Sequence, residues 1–270
     1  MIKVSILGAA GRMGRSVIQA LANDGHLQLY GALGREGSDA VGKDAGVLAG
    51  LGPVGVEITA DLRGVVAGAD VAIDFTLPGA TVRNIEACEA AGCALVIGST
   101  GHDQEQIAWL EAHQWAVPAV LAPNMSLGVN LLYQLAAMAA RTLPDFDAEI
   151  TEVHHRHKRD APSGTAMSLG QAVAAVRGQA LQEVVQFGRG PGDGPRAKGS
   201  IGISAVRAGE VVGEHTLLLA GAGEQLELRH VAQNRASFAG GALRAAAWVQ
   251  GKPPGLYGMP EVLGLPAVPK

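Results

Sequence analysis

The order of apolar and polar positions divides the chain into two rhythms. Ile2–Leu7 is a compact β-rich run, followed by glycines and a helical pattern over residues 12–22. Strand-like runs recur at Leu27–Leu33, 56–59, 71–75, Ala94–Ile97 and 119–122, and helical patterns occupy 79–91 and 103–114. The glycine-rich stretch 34–55 reads as loop. Strands alternating with helices predict βαβ units and a parallel sheet. After Asn124 the rhythm changes. Residues 128–141 read as helix, 148–155 as strand and 163–177 as helix. Three consecutive strands follow at 199–207, 210–220 and 224–232, joined by short turns, and then a helix at Ala236–Val249. That half predicts a mixed or antiparallel α+β sheet, with the boundary near residues 123–126. No internal repeat or low-complexity tract is present.

Composition narrows this picture. Of 270 residues, 48% are hydrophobic and 17% charged, which supplies a core and excludes disorder, collagen and coiled coil. The 38 glycines are roughly double the usual ~7% share and imply many tight turns. The net charge of −4 offers no basic stripe for a nucleic acid. Cys88 and Cys93 lack metal-type spacing and lie on a helix-to-strand passage, so a reducing, cytoplasmic setting is expected. The opening MIKVSILGAAGRMG is not read as a signal peptide, since Arg12 breaks a short apolar run. The long uncharged stretch 116–140 contains Pro118, Pro123, Asn124, Asn130 and Gln134, so no membrane helix is expected there.

Two segments carry candidate chemistry. The first is Gly8-Ala9-Ala10-Gly11-Arg12-Met13-Gly14, between a strand and a helix. Glycines there let the backbone approach a pyrophosphate, and the helix amides donate to it. Ala10 replaces the middle glycine of G-x-G-x-x-G, and a tight turn with no ligand is the competing reading. At the end of the second strand, where an acid would bind ribose hydroxyls, stand Gly34 and Arg35. Arginine pairs with a 2′-phosphate that an acid would repel, which favours NADPH over NADH. Arg35 as a solvated loop cation is the alternative, and Glu36 could still serve the ribose. Gly98-Ser99-Thr100-Gly101 and Ala122-Pro123-Asn124-Met125 end two further strands, where an open parallel sheet binds its ligands.

The second segment runs from His154 to Thr165: His154-His155-Arg156-His157-Lys158-Arg159-Asp160-Ala161-Pro162-Ser163-Gly164-Thr165. If the strand continues through it, His154, Arg156 and Lys158 share one face and His155 and His157 the other. Ser163 is placed to cap the next helix, whose free amides favour an anion. Histidine exchanges a proton near neutral pH, so the cluster suits proton transfer to an anionic substrate. A zinc site is disfavoured by the adjacent cations, and no metal is expected. A solvated basic loop stays open as an alternative. Asp74-Phe75-Thr76, at a strand end, is either functional or a cap for the helix that follows, and the cap is the preferred reading. Spacing alone does not separate Arg207, His215, His230 and Arg235 from surface.

The segments GAAGRMG, GSTG, APNMSLGVN, EVHHRHKRDAPSGTA and IGISAVRAGEVVGEHT closely resemble the 4-hydroxy-tetrahydrodipicolinate (dihydrodipicolinate) reductase family of bacterial lysine biosynthesis. The resemblance covers essentially the whole chain, and its histidine segment is far more specific than its glycine loop. It implies an α/β protein with an N-terminal Rossmann-like domain (1–125 and 236–270) and a mixed-sheet α+β domain (126–235) for substrate binding and tetramer assembly. It implies NAD(P)H with its pyrophosphate at Gly8, Ala9, Ala10, Gly11, Arg12 and Met13. Gly98, Ser99, Thr100, Ala122, Pro123, Asn124 and Met125 would hold the nicotinamide half. The substrate, a small cyclic dicarboxylate, would bind between the domains, and hydride would add to ring C4 in net exchange for a hydroxyl lost as water. His154 matches the family's proton donor and Lys158 its second one; His155, Ser163, Gly164 and Thr165 match the substrate-binding segment. Gly34 departs from the acid many members carry, which sharpens the NADPH expectation. Another NAD(P)-dependent amino or imino acid dehydrogenase, or a non-catalytic NADP-binding redox sensor, are the alternatives.

Overall fold

The computed structural model describes residues 1–266, and the chain divides into two compact units. The first unit begins with β1 (Ile2–Leu7), α1 (Arg12–Leu21), β2 (Leu27–Leu33), α2 (Ala45–Leu48), β3 (Ile58–Thr59) and α3 (Leu62–Val66). It continues with β4 (Val71–Asp74), a 3₁₀ turn at Pro78–Ala80, α4 (Thr81–Ala91), β5 (Ala94–Ile97), α5 (Gln104–Ala112) and β6 (Pro118–Leu121). Every residue of β4 and β5 is buried, as a parallel sheet covered on both faces requires. In α1 the 3.6-residue spacing turns Gly14, Val17, Ile18 and Leu21 inward. A capping box starts α5: Gln106 N–H donates to Asp103 Oδ1 and Asp103 N–H to Gln106 Oε1. Gly92 ends α4 in the left-handed region at φ +65°.

The stretch 34–55 is not all loop, as its glycines suggested. Asp44 caps α2 by accepting from Val47 N, and it also accepts from Val54 N and Gly55 N. A four-residue helix is too short to display periodicity, so its sequence signal was only the cap. The run 56–59 keeps just two paired residues in β3, and α3 was not foreseen for the same reason of length.

The second unit contains α6 (Leu127–Thr142), β7 (Asp147–His154), α7 (Gly164–Val176), α8 (Leu181–Val184), β8 (Val185–Phe187), β9 (Ile201–Arg207), β10 (Gly213–Ala220) and β11 (Gln225–Ala232). Its sheet order is β11-β10-β7-β9-β8. The sheet is mixed, because β9 runs parallel to β7 and β10 antiparallel to it. The short-turn connection holds for β10–β11; β9 and β10, consecutive in sequence, are separated by β7. Alternation along β7 buries Ala148, Ile150, Glu152 and His154. The aliphatic part of that face, with Ile203, Leu217 and Leu219, meets Leu132 and Ala136 of α6 and Leu169 and Val173 of α7. Each such aliphatic side chain contributes about 1.5–3 kcal/mol on burial. The strand stops at His154, so the expected two-face alternation of residues 155–158 does not form. Instead Ala208 N–H donates to His154 O and Arg156 N–H to Gly209 O, folding the chain into a loop.

The chain then returns to the first unit as α9 (Ala236–Val249), β12 (Gly255–Tyr257) and α10 (Met259–Leu263). α9 packs on α1 and the sheet through Ala239, Ala242, Leu243, Ala246 and Val249. β12 pairs parallel with β6 and completes the order β12-β6-β5-β4-β1-β2-β3, parallel throughout among the described residues. Leu265 and Pro266 go with the second unit, where Gln134 Nε2 donates to Pro266 O at 2.6 Å. Residues 267–270, expected by resemblance in the first domain, lie outside the described residues.

One constraint of this fold is testable. A Cβ on Gly14 would lie 2.3 Å from Gly8 O and 2.7 Å from Ala9 Cα, both backbone atoms. Gly240 in α9 has open space around its missing Cβ. Gly14→Ala is expected to destabilise the first unit by about 1–3 kcal/mol, while Gly240→Ala stabilises it by up to about 1 kcal/mol. Urea unfolding of the two variants checks the opposite signs.

Candidate active site

In the first unit the strand order reverses between β1 and β4, the position where open parallel sheets bind ligands. Gly8 turns the chain there at φ +85°, and the Gly8 and Ala9 amides donate to Leu33 O. Gly11 precedes α1 with no side-chain cap and no acid in the first turn. The Arg12, Met13 and Gly14 amides therefore have no intrahelical acceptor. A groove of about 480 Å³ opens at this end of the sheet. It brings together three segments expected from the sequence: Gly11, Arg12 and Met13; Gly98, Ser99 and Thr100; Pro123, Asn124 and Met125. Gly8, Ala9, Ala10 and Ala122 do not line it; Ala9 and Ala122 are buried. Arg35 is exposed just past β2 and does not line it either. The side chain missing at Gly34 is replaced by packing, because a Cβ there would meet Ile58 Cγ2 at 2.6 Å.

The groove has further walls: Phe75 and Thr76, whose segment the sequence left between function and cap, and Leu77 and Phe238, which it did not reveal. Asp74 explains three of them. It was expected to cap the following helix, yet α4 has no side-chain cap. Asp74 Oδ1 instead accepts from Thr76 N and Thr76 Oγ1 at 2.7 and 2.6 Å, and Oδ2 accepts from Asn84 Nδ2 at 2.9 Å. This fully buried carboxylate shapes the turn that carries Phe75 to Leu77. The Phe75 ring lies over Gly98, where a Cβ would come within 2.3 Å of it. Thr81 Oγ1 hydrogen-bonds His102 Nε2 at 2.9 Å and sits 3.4 Å from Ser99 Oγ, steadying the next turn. Free amides, close glycine approaches and the absence of a first-turn acid fit a dinucleotide pyrophosphate.

In the second unit, strand register gathers a polar cluster on an otherwise apolar sheet. His215 of β10 stands opposite Glu152, and Arg207 of β9 opposite His154. Glu152 is completely buried. Its Oε2 accepts from His154 Nδ1 at 2.5 Å and from Arg207 Nη1 at 2.8 Å. Its Oε1 accepts from Ser163 N at 2.9 Å and Arg207 Nη2 at 2.8 Å. Burial works against ionisation, but these bonds outweigh it and hold the carboxyl below its usual range. Burial likewise lowers His154 from its ordinary value, with Lys158 and Arg207 assisting and Glu152 opposing. Burial, and then the charge of His154, pushes His215 down to about 3. The His154 and His215 rings meet edge to face at 5.1 Å, and His215 Nε2 shares a hydrogen bond of 3.0 Å with Ser163 Oγ.

The remaining residues expected from the sequence surround this cluster. Lys158 Nζ pairs with Asp160 Oδ2 at 2.9 Å, and its charge reaches His154. Ser163 caps α7, with Ala166 N–H donating to its Oγ. Gly164 and Thr165 form the first turn of α7, and a Cβ on Gly164 would meet nothing within 4 Å. His155 is half-buried in the loop, its ring 6.2 Å from that of the exposed His157. Sequence reasoning missed Glu152 and left Arg207 and His215 undecided. The signal for Glu152 was present: it occupies the inward phase of β7, where Ala148 and Ile150 are apolar.

A parallel nucleotide-type sheet with a glycine turn, followed by a mixed-sheet unit with a buried carboxylate–histidine pair, defines the class of two-unit α/β oxidoreductases. The profile described as dihydrodipicolinate reductase, N-terminus, matches residues 2–125, and the C-terminus profile matches residues 128–263. The chain is 52% identical over 264 residues to 4-hydroxy-tetrahydrodipicolinate reductase of Alkalilimnicola ehrlichii, covering 97% of this chain and 99% of that one. It is 52% identical over 265 residues to the enzyme of the same name from Thiobacillus denitrificans, covering 98% and 99%. A solved structure, dipicolinate-bound dihydrodipicolinate reductase from Paenisporosarcina sp. TG-14, superposes with a TM-score of 0.76 at 27% identity, covering 97% of this chain and 98% of that one. The chain belongs to the dihydrodipicolinate reductase family and is an NAD(P)H-dependent oxidoreductase.

The low value at His215 has a consequence for stability. Its ordinary value is 6.5 and its folded value about 3, so within that window only the unfolded chain carries the proton. Stability therefore falls as pH falls from 6.5 towards 3. Between pH 7 and pH 5 the His215 contribution amounts to about 2 kcal/mol. Urea unfolding at both values should show a smaller loss in His215→Gln by that amount.

Proposed function

We propose that this chain reduces 4-hydroxy-tetrahydrodipicolinate to tetrahydrodipicolinate in lysine and diaminopimelate biosynthesis, preferring NADPH, with His154 and Lys158 as the proton donors. The observation that carries this reading is the clustering of His154 and the α7 N-terminus around buried Glu152, with the charge of Lys158 reaching His154, in a chain about half identical to curated reductases. That identity favours this reaction over another amino or imino acid dehydrogenase. The joint presence of His154 and Lys158 disfavours a non-catalytic sensor.

The reduced nicotinamide, when bound, supplies the hydride that adds to ring C4 of the dehydrated substrate. The turn Gly8 to Met13 would receive its pyrophosphate, with the Arg12 and Met13 amides as donors because those of Gly8, Ala9 and Gly11 are bonded within the turn, and Gly98 to Thr100 with Ala122 to Met125 would flank its nicotinamide half. Arg35, exposed beyond β2, pairs with the 2′-phosphate where Gly34 leaves no acid to repel it. Gly164 and Thr165 present the α7 amides to a substrate carboxylate, with Ser163 fixing the helix end and His155 alongside. The open space at Gly164 supports this role, since packing does not demand a glycine there. His154 gives its proton to the enamine that hydride addition leaves, and Lys158 is the second group able to supply that one proton and holds a positive charge near the dicarboxylate. A positioned proton donor contributes typically about 10²–10⁴-fold. Assembly as a homotetramer through the second unit and action in the cytoplasm complete the reading. Exposed Phe187, Val206, Leu226 and Val231 on that unit support the first of these.

His154→Gln is expected to lower kcat by about 10²–10⁴-fold and leave NADPH affinity within twofold, in steady-state and binding measurements. Surviving turnover would remove His154 as donor. Pyridine-2,6-dicarboxylate should compete with the substrate. Arg35→Ala is expected to raise the Kd for NADPH by about tenfold and leave NADH unchanged. Equal weakening of both cofactors would contradict the 2′-phosphate contact.

A further inference from the structure

We propose that Glu152 is a positioning residue for this reaction: it holds His154 with a proton on Nδ1 and so reserves Nε2 for the transferred proton. The inference rests on the reading of His154 as proton donor. Three observations carry it. Glu152 has no solvent exposure, and an ionised carboxylate only accepts hydrogen bonds. The bond of 2.5 Å therefore requires Nδ1 to donate, in the neutral ring as well as the charged one. His154 Nε2 makes no hydrogen bond among the described residues. The ring edge bearing it faces Gly213, where a Cβ would come within 2.9 Å of Nε2. A side chain on β10 at that position would crowd the atom that must exchange the proton.

Arg207 makes this arrangement durable. Both its Nη atoms bind Glu152, and Nη2 also donates to Asp160 O at 2.5 Å. The paired bonds keep the carboxylate charged and fix its plane. Ser163 N–H occupies the fourth bond, so the same carboxylate ties His154 to the start of α7. The charged and titratable groups around His154 are Glu152 from its own strand, Arg207 from β9, His215 from β10 with His230 opposite it, and Lys158 with Asp160 from the loop. Lys158 and Arg207 weaken the proton's hold on His154, and Glu152 is the anion in contact that strengthens it. Removing its charge lowers the proton affinity of His154.

Nitrogen NMR of the full-length protein labelled at histidine tests this directly. The neutral His154 ring of the wild type should carry its proton on Nδ1. In Glu152→Gln its titration midpoint should fall by about tenfold or more in proton affinity. The alkaline limb of the kcat–pH profile, where a proton donor is lost, should move to lower pH with that midpoint. The Kd for NADPH should stay within twofold. A neutral wild-type ring protonated on Nε2, or an unchanged His154 midpoint in Glu152→Gln, overturns the proposal. The first criterion needs no variant and holds even if Glu152→Gln does not fold. A midpoint that moves while the rate limb stays overturns instead the reading of His154 as donor.

Discussion

A carboxylate with no contact to water is the constraint on which the second unit turns. Burying one costs several kcal/mol, which only close and complete pairing offsets. Glu152 obtains that pairing from three separate places in the chain: the β7 histidine two residues on, the end of β9 through Arg207, and the approach to α7 through Ser163 N. Each partner is thereby fixed relative to the others. The interaction is less a source of stability than a means of specifying one geometry, since an apolar side chain at that position would bury at lower cost. What it specifies is a histidine with a defined free nitrogen beside a helix N-terminus.

The first unit obeys a different constraint, close backbone approach. Gly8 and Gly14 let α1 press against the β1 turn, so the helix begins where the sheet order reverses. Asp74 plays there a part comparable to Glu152. It is a buried carboxylate satisfied by Thr76 and Asn84, and it sets a turn rather than meeting a ligand. Phe75 and Gly98 then fit as a pair, the ring filling the space a side chain would need. In both units a buried acid orders a loop at the end of a strand.

Much of this was legible in the sequence because long elements announce themselves. Helices such as α1, α6 and α9 carry full apolar stripes, and β4 and β5 are unbroken apolar runs. The short elements α2, α3, β8 and β12 were not legible, since three to five residues hold no period and their pairing depends on neighbours distant in sequence. The order of the mixed sheet was hidden for a related reason: adjacent runs such as β9 and β10 suggest a hairpin, and the choice of β7 as their common neighbour is tertiary. At the site, the histidine segment could be read directly. His215 could not, because a histidine on a strand looks like surface until the register shows which face it takes, whereas Glu152 had a signal in the inward phase it shares with Ala148 and Ile150. Gly34 gained a different meaning: the sequence offered a missing acid, and the structure adds that Ile58 occupies the space one would need.

The central claim is that these residues form a reductase for the cyclic imine dicarboxylate. Its most direct test follows NADPH absorbance while the preceding condensing enzyme generates the substrate in situ, with this chain added last. The account predicts NADPH oxidation that begins on that addition and scales with the amount of chain. No NADPH or NADH oxidation beyond the rate without the chain, while the substrate is shown to form, would contradict it.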